Sequence, residues 1–237
     1  MSVACGSIDY GKDKMNFAVV YADRKTMEIA VHPDARVVVK APRGTLFKNI
    51  LARVTKRARW IKRQLDYFRQ FEPRTPSRLY VGGATHLFLG RQYRLKIRKA
   101  CERGVKLKGK FFYIATPDPA DTQNIKTLLD EWYIEHARTI FEKRLELWHS
   151  AAKSLKIPHP KIRLRRMLRR WGSCGKAGYI LLNTKLVTAP LYCIDYVIVH
   201  ELCHLKDHTH GKGFYKLLSK YMPDWGKRKE RLERFLI

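Results

Sequence analysis

Acidic residues are scarce in this sequence: 21 Asp and Glu stand against 49 Lys and Arg, a formal net charge of +28 over 237 residues. The excess is spread along most of the chain, so it describes a surface and not a tail. Such a surface attracts polyanions, whether phosphate backbones, acidic proteins or anionic membranes, through sequence-independent and salt-sensitive forces. The alternative is charge that serves solubility and has no dedicated partner. Cysteine is also sparse. Cys5, Cys101, Cys174, Cys193 and Cys203 are odd in number, irregularly spaced and contain no CxxC pair, which argues against a disulfide framework. Long apolar runs are missing as well. The opening MSVACGSIDYGKDK lacks the apolar stretch of a secretory leader, and nowhere do about 18 apolar residues follow one another as a membrane span requires. These absences lead us to expect a cytoplasmic protein with reduced thiols and no membrane segment.

What is present is enough for a core: 45% of residues are hydrophobic and 11% aromatic, well above the composition of a disordered chain. From 17 to 41 the Val- and Ile-rich runs, broken at Asp23-Arg24-Lys25 and Pro33-Asp34, predict antiparallel strands. From Thr45 to about Phe71 apolar residues recur at helical spacing among many Lys and Arg, which predicts a basic amphipathic helix, in one piece or two. After Pro73 and Pro76, Leu79 to Val81, Thr85 to Ile97 and KGKFFYIAT read as further strands. The Pro-Asp-Pro at 117–119 marks a domain boundary, and Asp121 is placed to cap a long helix to about Leu155. A strand at about 161–170, a turn at Gly175–Gly178, a strand at Tyr179–Asn183, a helix from about Pro190 to Leu205 and a final amphipathic pair complete the pass. No internal repeat stands out. The expected organisation is α+β, with an N-terminal antiparallel β-rich region carrying the basic helix (1–119) and a second domain (120–237) whose active-site helix lies beside a small sheet.

The chemistry is concentrated in His200-Glu201-Leu202-Cys203-His204. On an α-helix, residues four apart lie one turn above each other, so the two imidazoles share a face and reach one ion. Zinc takes neutral imidazole nitrogens at about 2.0–2.1 Å. Glu201, next to the first ligand, can reach a metal-bound water and act as its general base, passing the proton on to the leaving amine. The pentad alone arises by chance in roughly one such chain in a hundred, and a solvated surface helix is the alternative. A third ligand is therefore needed. His208 and His210 both follow at once, and the polar segment from Leu205 to Gly211, ending in a glycine, favours a fold-back that brings in His210. His208 is left as the other ligand candidate or as a neighbour of the site. Asp195, one turn before the pentad, has two readings: it orients a ligand imidazole, or it is a carboxylate favoured by the helix N-terminus. Cys203 should face the core.

With Arg170-Trp171-Gly172-Ser173-Cys174 upstream, Leu182-Asn183, Ile194-Asp195-Tyr196-Val197, the pentad, and His210 to Tyr215 downstream, the sequence resembles the YgjP-like metallopeptidases, relatives of the SprT and Spartan group. It departs from them at Thr209-His210-Gly211, where Asn-His-Ser is usual, and at Tyr215, where Trp is common. His210-Gly211-Lys212-Gly213-Phe214 is instead similar to the HGxxF form of the SprT relatives. The resemblance implies a zincin-like catalytic domain, Zn2+ held by the three matched histidines, and Glu201 as the catalytic residue in hydrolysis of peptide bonds of a protein or peptide substrate. The strand holding Ser173 and Cys174 is expected beside the active-site helix, where its edge can pair with an extended peptide. Against that stands a structural role, with Trp171 in the core, Gly172 at a bulge and Cys174 a small buried residue. The basic stretches 96–110, 165–170 and 227–234 suggest non-specific nucleic-acid contact, unaccompanied by any known nucleic-acid-binding signature. A basic accessory protein with a structural or vestigial zinc site is the competing function, and hydrolysis of a non-peptide amide a third.

Overall fold

The computed structural model describes residues 3–32, 34–69, 78–167, 170–175 and 178–234. The expectations resting on Pro33, Pro73, Pro76, the centre of the 175–178 turn and part of the 165–170 basic stretch fall outside them. The chain divides into two compact units, Met1–Thr75 and Pro76–Leu236. Together they give the expected α+β class.

In the first unit β1 (Val3–Tyr10), β2 (Asp13–Ala22), β3 (Glu28–Val31) and β4 (Val37–Pro42) form a sheet in the order β1-β2-β4-β3. Alternation in β2 and β4 puts Met15, Phe17, Val19, Val37, Val39 and Ala41 on one buried face. That face is covered by α1 (Phe47–Lys56) and α2 (Ala58–Arg69), which contribute Ile50, Val54, Ala58, Ile61 and Leu65. The basic helix is thus two helices jointed at Arg57. The sheet is not wholly antiparallel as expected: β2 and β4 run parallel, Phe17 opposite Val37. Alternating apolar residues mark a half-buried strand whichever way its neighbour runs, so the sequence pattern cannot tell the two apart.

The second unit opens with the same arrangement. Strands β5 (Thr85–Phe88), β6 (Arg91–Lys99), β7 (Gly104–Lys108) and β8 (Phe111–Thr116) take the order β5-β6-β8-β7, with β6 and β8 parallel. In both sheets the first hairpin has a two-residue connection, and the last strand leads through a proline into a helix. Pro42, Asn49 and Ile50 are matched at one common spacing by Pro117, Asn124 and Ile125. The chain therefore contains an internal repeat of topology, hidden from direct reading because few residue identities accompany it.

Asp121 caps α3 (Thr122–Ala151), its carboxylate accepting from the Gln123 and Asn124 amides. This helix packs Ile125, Leu129, Trp132, Phe141 and Leu145 into one core with Phe112 and Ile114 of the sheet and Ile194 and Ile198 further on. The boundary expected at 119 is therefore corrected to the region of 75–76. The proline punctuation at 117–119 is a corner within one unit, crossed by a continuous core. The β5–β6 turn fastens the sheet again, since Leu89 and Gly90 donate to the carbonyls of Val187 and Thr188. Gly90 has φ +78° and lies so close to Pro190 that a Cβ would stand 2.7 Å from its ring. Leu79 to Val81, expected as a strand, is not one: the Leu79 carbonyl accepts from His86 Nε2 and not from a neighbouring strand.

A third sheet, β10-β11-β9, comprises β9 (Lys161–Arg165), β10 (Gly172–Gly175) and β11 (Tyr179–Asn183), with β10 at its edge. It is followed by α4 (Leu191–His204), α5 (Lys212–Tyr221) and α6 (Trp225–Glu233). Among the described residues no helix is long and apolar enough to cross a membrane.

Candidate metal centre

The pentad occupies the last turn of α4, a helix buried over most of its surface, with Cys193, Ile194, Ile198, Leu202 and Cys203 in the core. Cys203 faces inward as expected. His200 and His204 lie one turn apart on the remaining side. The helix stops at His204 because the chain turns at Leu205-Lys206, where Asp207 takes over. Asp207 Oδ1 accepts from the Thr209 amide at 2.9 Å and the Thr209 hydroxyl at 2.8 Å. This closes a small turn that sends the chain back and delivers His210.

The three Nε2 atoms form a near-equilateral triangle, 3.1 Å from His200 to His204, 3.0 Å from His204 to His210 and 3.2 Å from His210 to His200. His204 Nδ1 lies 3.1 Å from the Asp207 carbonyl. A carbonyl only accepts, so the proton of neutral His204 sits on Nδ1 and its Nε2 offers a lone pair to the centre. Three nitrogens aimed at one point are poorly served by hydrogen bonds among themselves, but they suit a cation. A tetrahedral ion with bonds of about 2.0–2.1 Å needs its ligand nitrogens about 3.3 Å apart. Among the described residues these three make the one cluster of His, Cys, Asp or Glu fit to hold a metal. His208 is exposed and stands outside it.

Phe214, fully buried on α5, supports the triangle from below, stacked on His204 at 4.4 Å between ring centres and edge-on to His200 and His210 at 4.9 Å each. Burial, reinforced by the neighbouring histidines, drives the His200 imidazole down to about 3, and burial lowers His204 as well. Both therefore present neutral rings at physiological pH, the form a metal requires.

Glu201 is 4% exposed, and its Oε2 has no hydrogen-bond partner among the described residues. Burial raises its carboxyl to about 8, against a lowering pull from Arg170. It lies close against Gly172: a Cβ there would stand 2.6 Å from Glu201 Oε1. The edge strand β10 thus runs directly beside the glutamate. Ser173 and Cys174 follow on that strand, paired with Leu181 and Ile180 of β11. The Cys174 thiol is raised first by burial and then by Glu201, which places it in the neighbourhood of the carboxylate. The strand is held by Asn183, 2% exposed, whose Nδ2 donates to the carbonyls of Met167 and Arg170 at 2.7 and 2.8 Å. Trp171 packs against the core, as its structural reading had it.

Among the described residues Asp195 makes no hydrogen bond to a ligand imidazole. Its carboxylate is gripped by Arg144 of α3 through two bonds, Nε to Oδ1 at 2.6 Å and Nη2 to Oδ2 at 2.7 Å, with Arg228 of α6 at 3.9 Å. His200 Nδ1 has no hydrogen-bond partner among the described residues. The arginine lies 51 residues away in sequence, and nothing local announces it. Gly172, Asn183, Asp207 and Phe214 are the site residues whose roles local spacing does not disclose. Only the turn-forming character of Asp207 before a Thr offered a signal.

A family profile for the YgjP-like metallopeptidase domain matches residues 25–235. The chain belongs to the YgjP-like metallopeptidase family. Two solved structures are similar over part of the chain. The metallopeptidase zymogen abylysin of Pyrococcus abyssi is 24% identical, with 39% of this chain and 90% of that one covered and a TM-score of 0.35. The zymogen jannalysin of Methanocaldococcus jannaschii is 22% identical over 41% and 97%, with a TM-score of 0.36. No curated protein matches the chain. A metallopeptidase of the YgjP-like family needs a metal, and in this chain the three-histidine triangle is the group of described residues fit to hold one.

Proposed function

We propose that this chain is a zinc-dependent peptidase in which His200, His204 and His210 hold the ion and Glu201 is the general base. The observation that carries the proposal is the convergence of three Nε2 atoms within 3.0–3.2 Å of one another, two of them on the helix turn that also carries Glu201, a buried carboxylate whose Oε2 has no hydrogen-bond partner among the described residues. Imidazole-only donors suit zinc, and three protein ligands leave a position open, as a catalytic site requires. Zinc bound there supplies Lewis acidity, lowering the pKa of a water to about 7 and polarising a carbonyl oxygen.

The chain's own groups do the rest. Glu201 takes the proton of the attacking water on Oε2, the oxygen left without a hydrogen-bond partner among the described residues. It then returns the proton to the departing amine nitrogen. The carboxylate is kept in line by the Gly172 backbone against its other side. Edge strand β10 offers unpaired main-chain groups along which an extended peptide can lie, with Ser173 and Cys174 bordering it. The hydrogen bond from His204 Nδ1 to Asp207 fixes that ring's tautomer and direction. The odd number and irregular spacing of the five cysteines favour a reducing, cytoplasmic setting.

The decisive experiment is elemental analysis of purified protein beside cleavage of unfolded casein, for wild type, Glu201→Gln and His210→Ala. One zinc per chain, retained without activity in Glu201→Gln and weakened in His210→Ala, is the expected result. Failure of wild type to take up zinc would end the peptidase reading.

A further inference from the structure

The joint between α1 and α2 holds a second feature that peptide hydrolysis leaves unused. From Phe47 to Arg69 the two helices carry eight basic residues and one acid, Asp66. That acid is already engaged, by Lys62 at 3.0 Å and Arg69 at 3.6 Å, and Lys62 also reaches Asp13 at 2.7 Å. Lys56, Arg57, Arg59 and Arg63 have no acidic partner among the described residues. These four, with Trp60, line a shallow surface cavity of about 460 Å³.

The sequence produces this arrangement in a simple way. Val54, Ala58, Ile61 and Leu65 point into the core, which obliges the residues between them to face water. The helix axis breaks at Arg57, whose amide closes on the Val54 carbonyl at 3.0 Å while its own carbonyl accepts from Ile61 at 2.9 Å. The break gathers Lys56 and Arg57 from one helix end with Arg59, Trp60 and Arg63 from the first turns of the next. Trp60 remains 37% exposed, an apolar ring bordered by these cations and only partly covered by the fold.

We infer that this cavity is an anchoring site for single-stranded nucleic acid, with a base stacked on Trp60 and adjoining phosphates paired to Arg57, Arg59 and Arg63. Guanidinium groups match phosphate oxygens in bidentate geometry, and an exposed aromatic ring amid cations is how single strands are held without regard to sequence. A free single strand turns its bases outward and can supply both contacts, whereas a duplex keeps its bases stacked inside and supplies phosphates alone. The site lies within the first unit and does not depend on the metal centre.

The test is fluorescence anisotropy of a labelled thymidine 20-mer with the full chain at several salt concentrations. The variants are Trp60→Ala, the triple Arg57→Gln/Arg59→Gln/Arg63→Gln, and as a control Lys106→Gln/Lys108→Gln/Lys110→Gln on exposed positions of the β7–β8 hairpin. All the changed residues are exposed, and circular dichroism melts check folding. The arginine triple should bind at least tenfold more weakly. Its slope of log affinity against log salt should flatten by about two, since each phosphate that goes unpaired takes roughly 0.7 from the slope. Trp60→Ala should lose about five- to a hundredfold with the slope kept, as removal of a base stack does. The control should lose clearly less than the arginine triple. Equal losses in both triples would reduce the effect to general charge and overturn the proposal, as would an unaffected Trp60→Ala. If the arginine triple kept its oligonucleotide affinity but no longer bound vesicles containing phosphatidylserine, the surface would be a membrane contact instead. Zinc content and casein cleavage are unchanged in the arginine and Trp60 variants on this reading, so the two proposals fail separately.

Discussion

Gly172 and Glu201 are in contact across the edge of the third sheet: any Cβ at Gly172 would stand 2.6 Å from Glu201 Oε1 and 2.9 Å from its Cγ. The glycine is there because a buried carboxylate needs the space. Gly172→Ala must therefore push either the glutamate or β10 aside. Displacing a catalytic group by about an ångström costs on the order of a hundredfold in rate. We expect casein cleavage to fall by about that factor while zinc stoichiometry stays at one, measured side by side. Cleavage near the wild-type level would mean that the strand yields freely and that the close approach constrains nothing.

Asp207 shapes the turn that delivers His210, and it does so through Thr209, whose amide and hydroxyl both bond to Oδ1. Those bonds hold the Asp207 carboxyl below its ordinary value. Asp207→Ala removes both. Groups that orient metal ligands from behind contribute about ten- to a hundredfold in affinity. Competition against a chromophoric chelator should show zinc bound about tenfold more weakly in Asp207→Ala and less weakened in Asp207→Asn, which keeps an acceptor. Equal affinity in all three proteins would show that His210 is placed without the turn.

How much of this was legible follows from how far apart the interacting residues lie. The pairing of His200 with His204 is local, fixed by helix geometry once the apolar pattern of α4 is seen, and His210 lies just past the helix end. The long helix α3 and its Asp121 cap were equally local. Gly172 against Glu201, Asn183 beneath β10 and Arg144 on Asp195 are contacts between separate elements, and no periodicity encodes them. The parallel pairing of β2 with β4 and of β6 with β8 was hidden for another reason, because a strand's alternation is blind to the direction of its neighbour. The same blindness concealed the repeated topology of the two sheets, which only the register reveals.

The Arg144–Asp195 pair separates two accounts of Asp195. The aspartate's side chain is 7% exposed, and it ties α3 to α4 through two short bonds. Removing one partner of a buried ion pair leaves the other charge uncompensated and costs about 3 kcal/mol or more. Asp195→Ala should therefore lose about that much stability in urea denaturation of the metal-free protein while its zinc affinity is kept. A tenfold loss of zinc affinity at unchanged stability would restore the ligand-orienting role that the sequence suggested.

His86 gives the fold a dependence on pH away from the metal centre. It is 3% exposed, and Nε2 donates to the Leu79 carbonyl at 2.8 Å, securing the segment ahead of β5. Burial lowers its pKa, with Arg78 acting in the same direction against that hydrogen bond. The unfolded chain binds a proton there near the ordinary value of about 6.5, and the folded chain binds it only at lower pH. Between the two values the unfolded state holds more protons, so this contribution is complete above about 6.5 and shrinks as pH falls through the lowered value. His200 and His204, lowered in the same sense, add to the loss in metal-free protein. His86→Leu removes one of the three groups. At the position of the first sheet that matches it in register, Ile8, the residue is a buried aliphatic one already. Urea denaturation of metal-free protein at pH 7, 6 and 5 should show wild type losing stability more steeply than His86→Leu, even where the variant is weaker at pH 7 for want of the Leu79 bond. Parallel declines would mean that His86 takes up its proton in the folded protein as readily as in the unfolded chain.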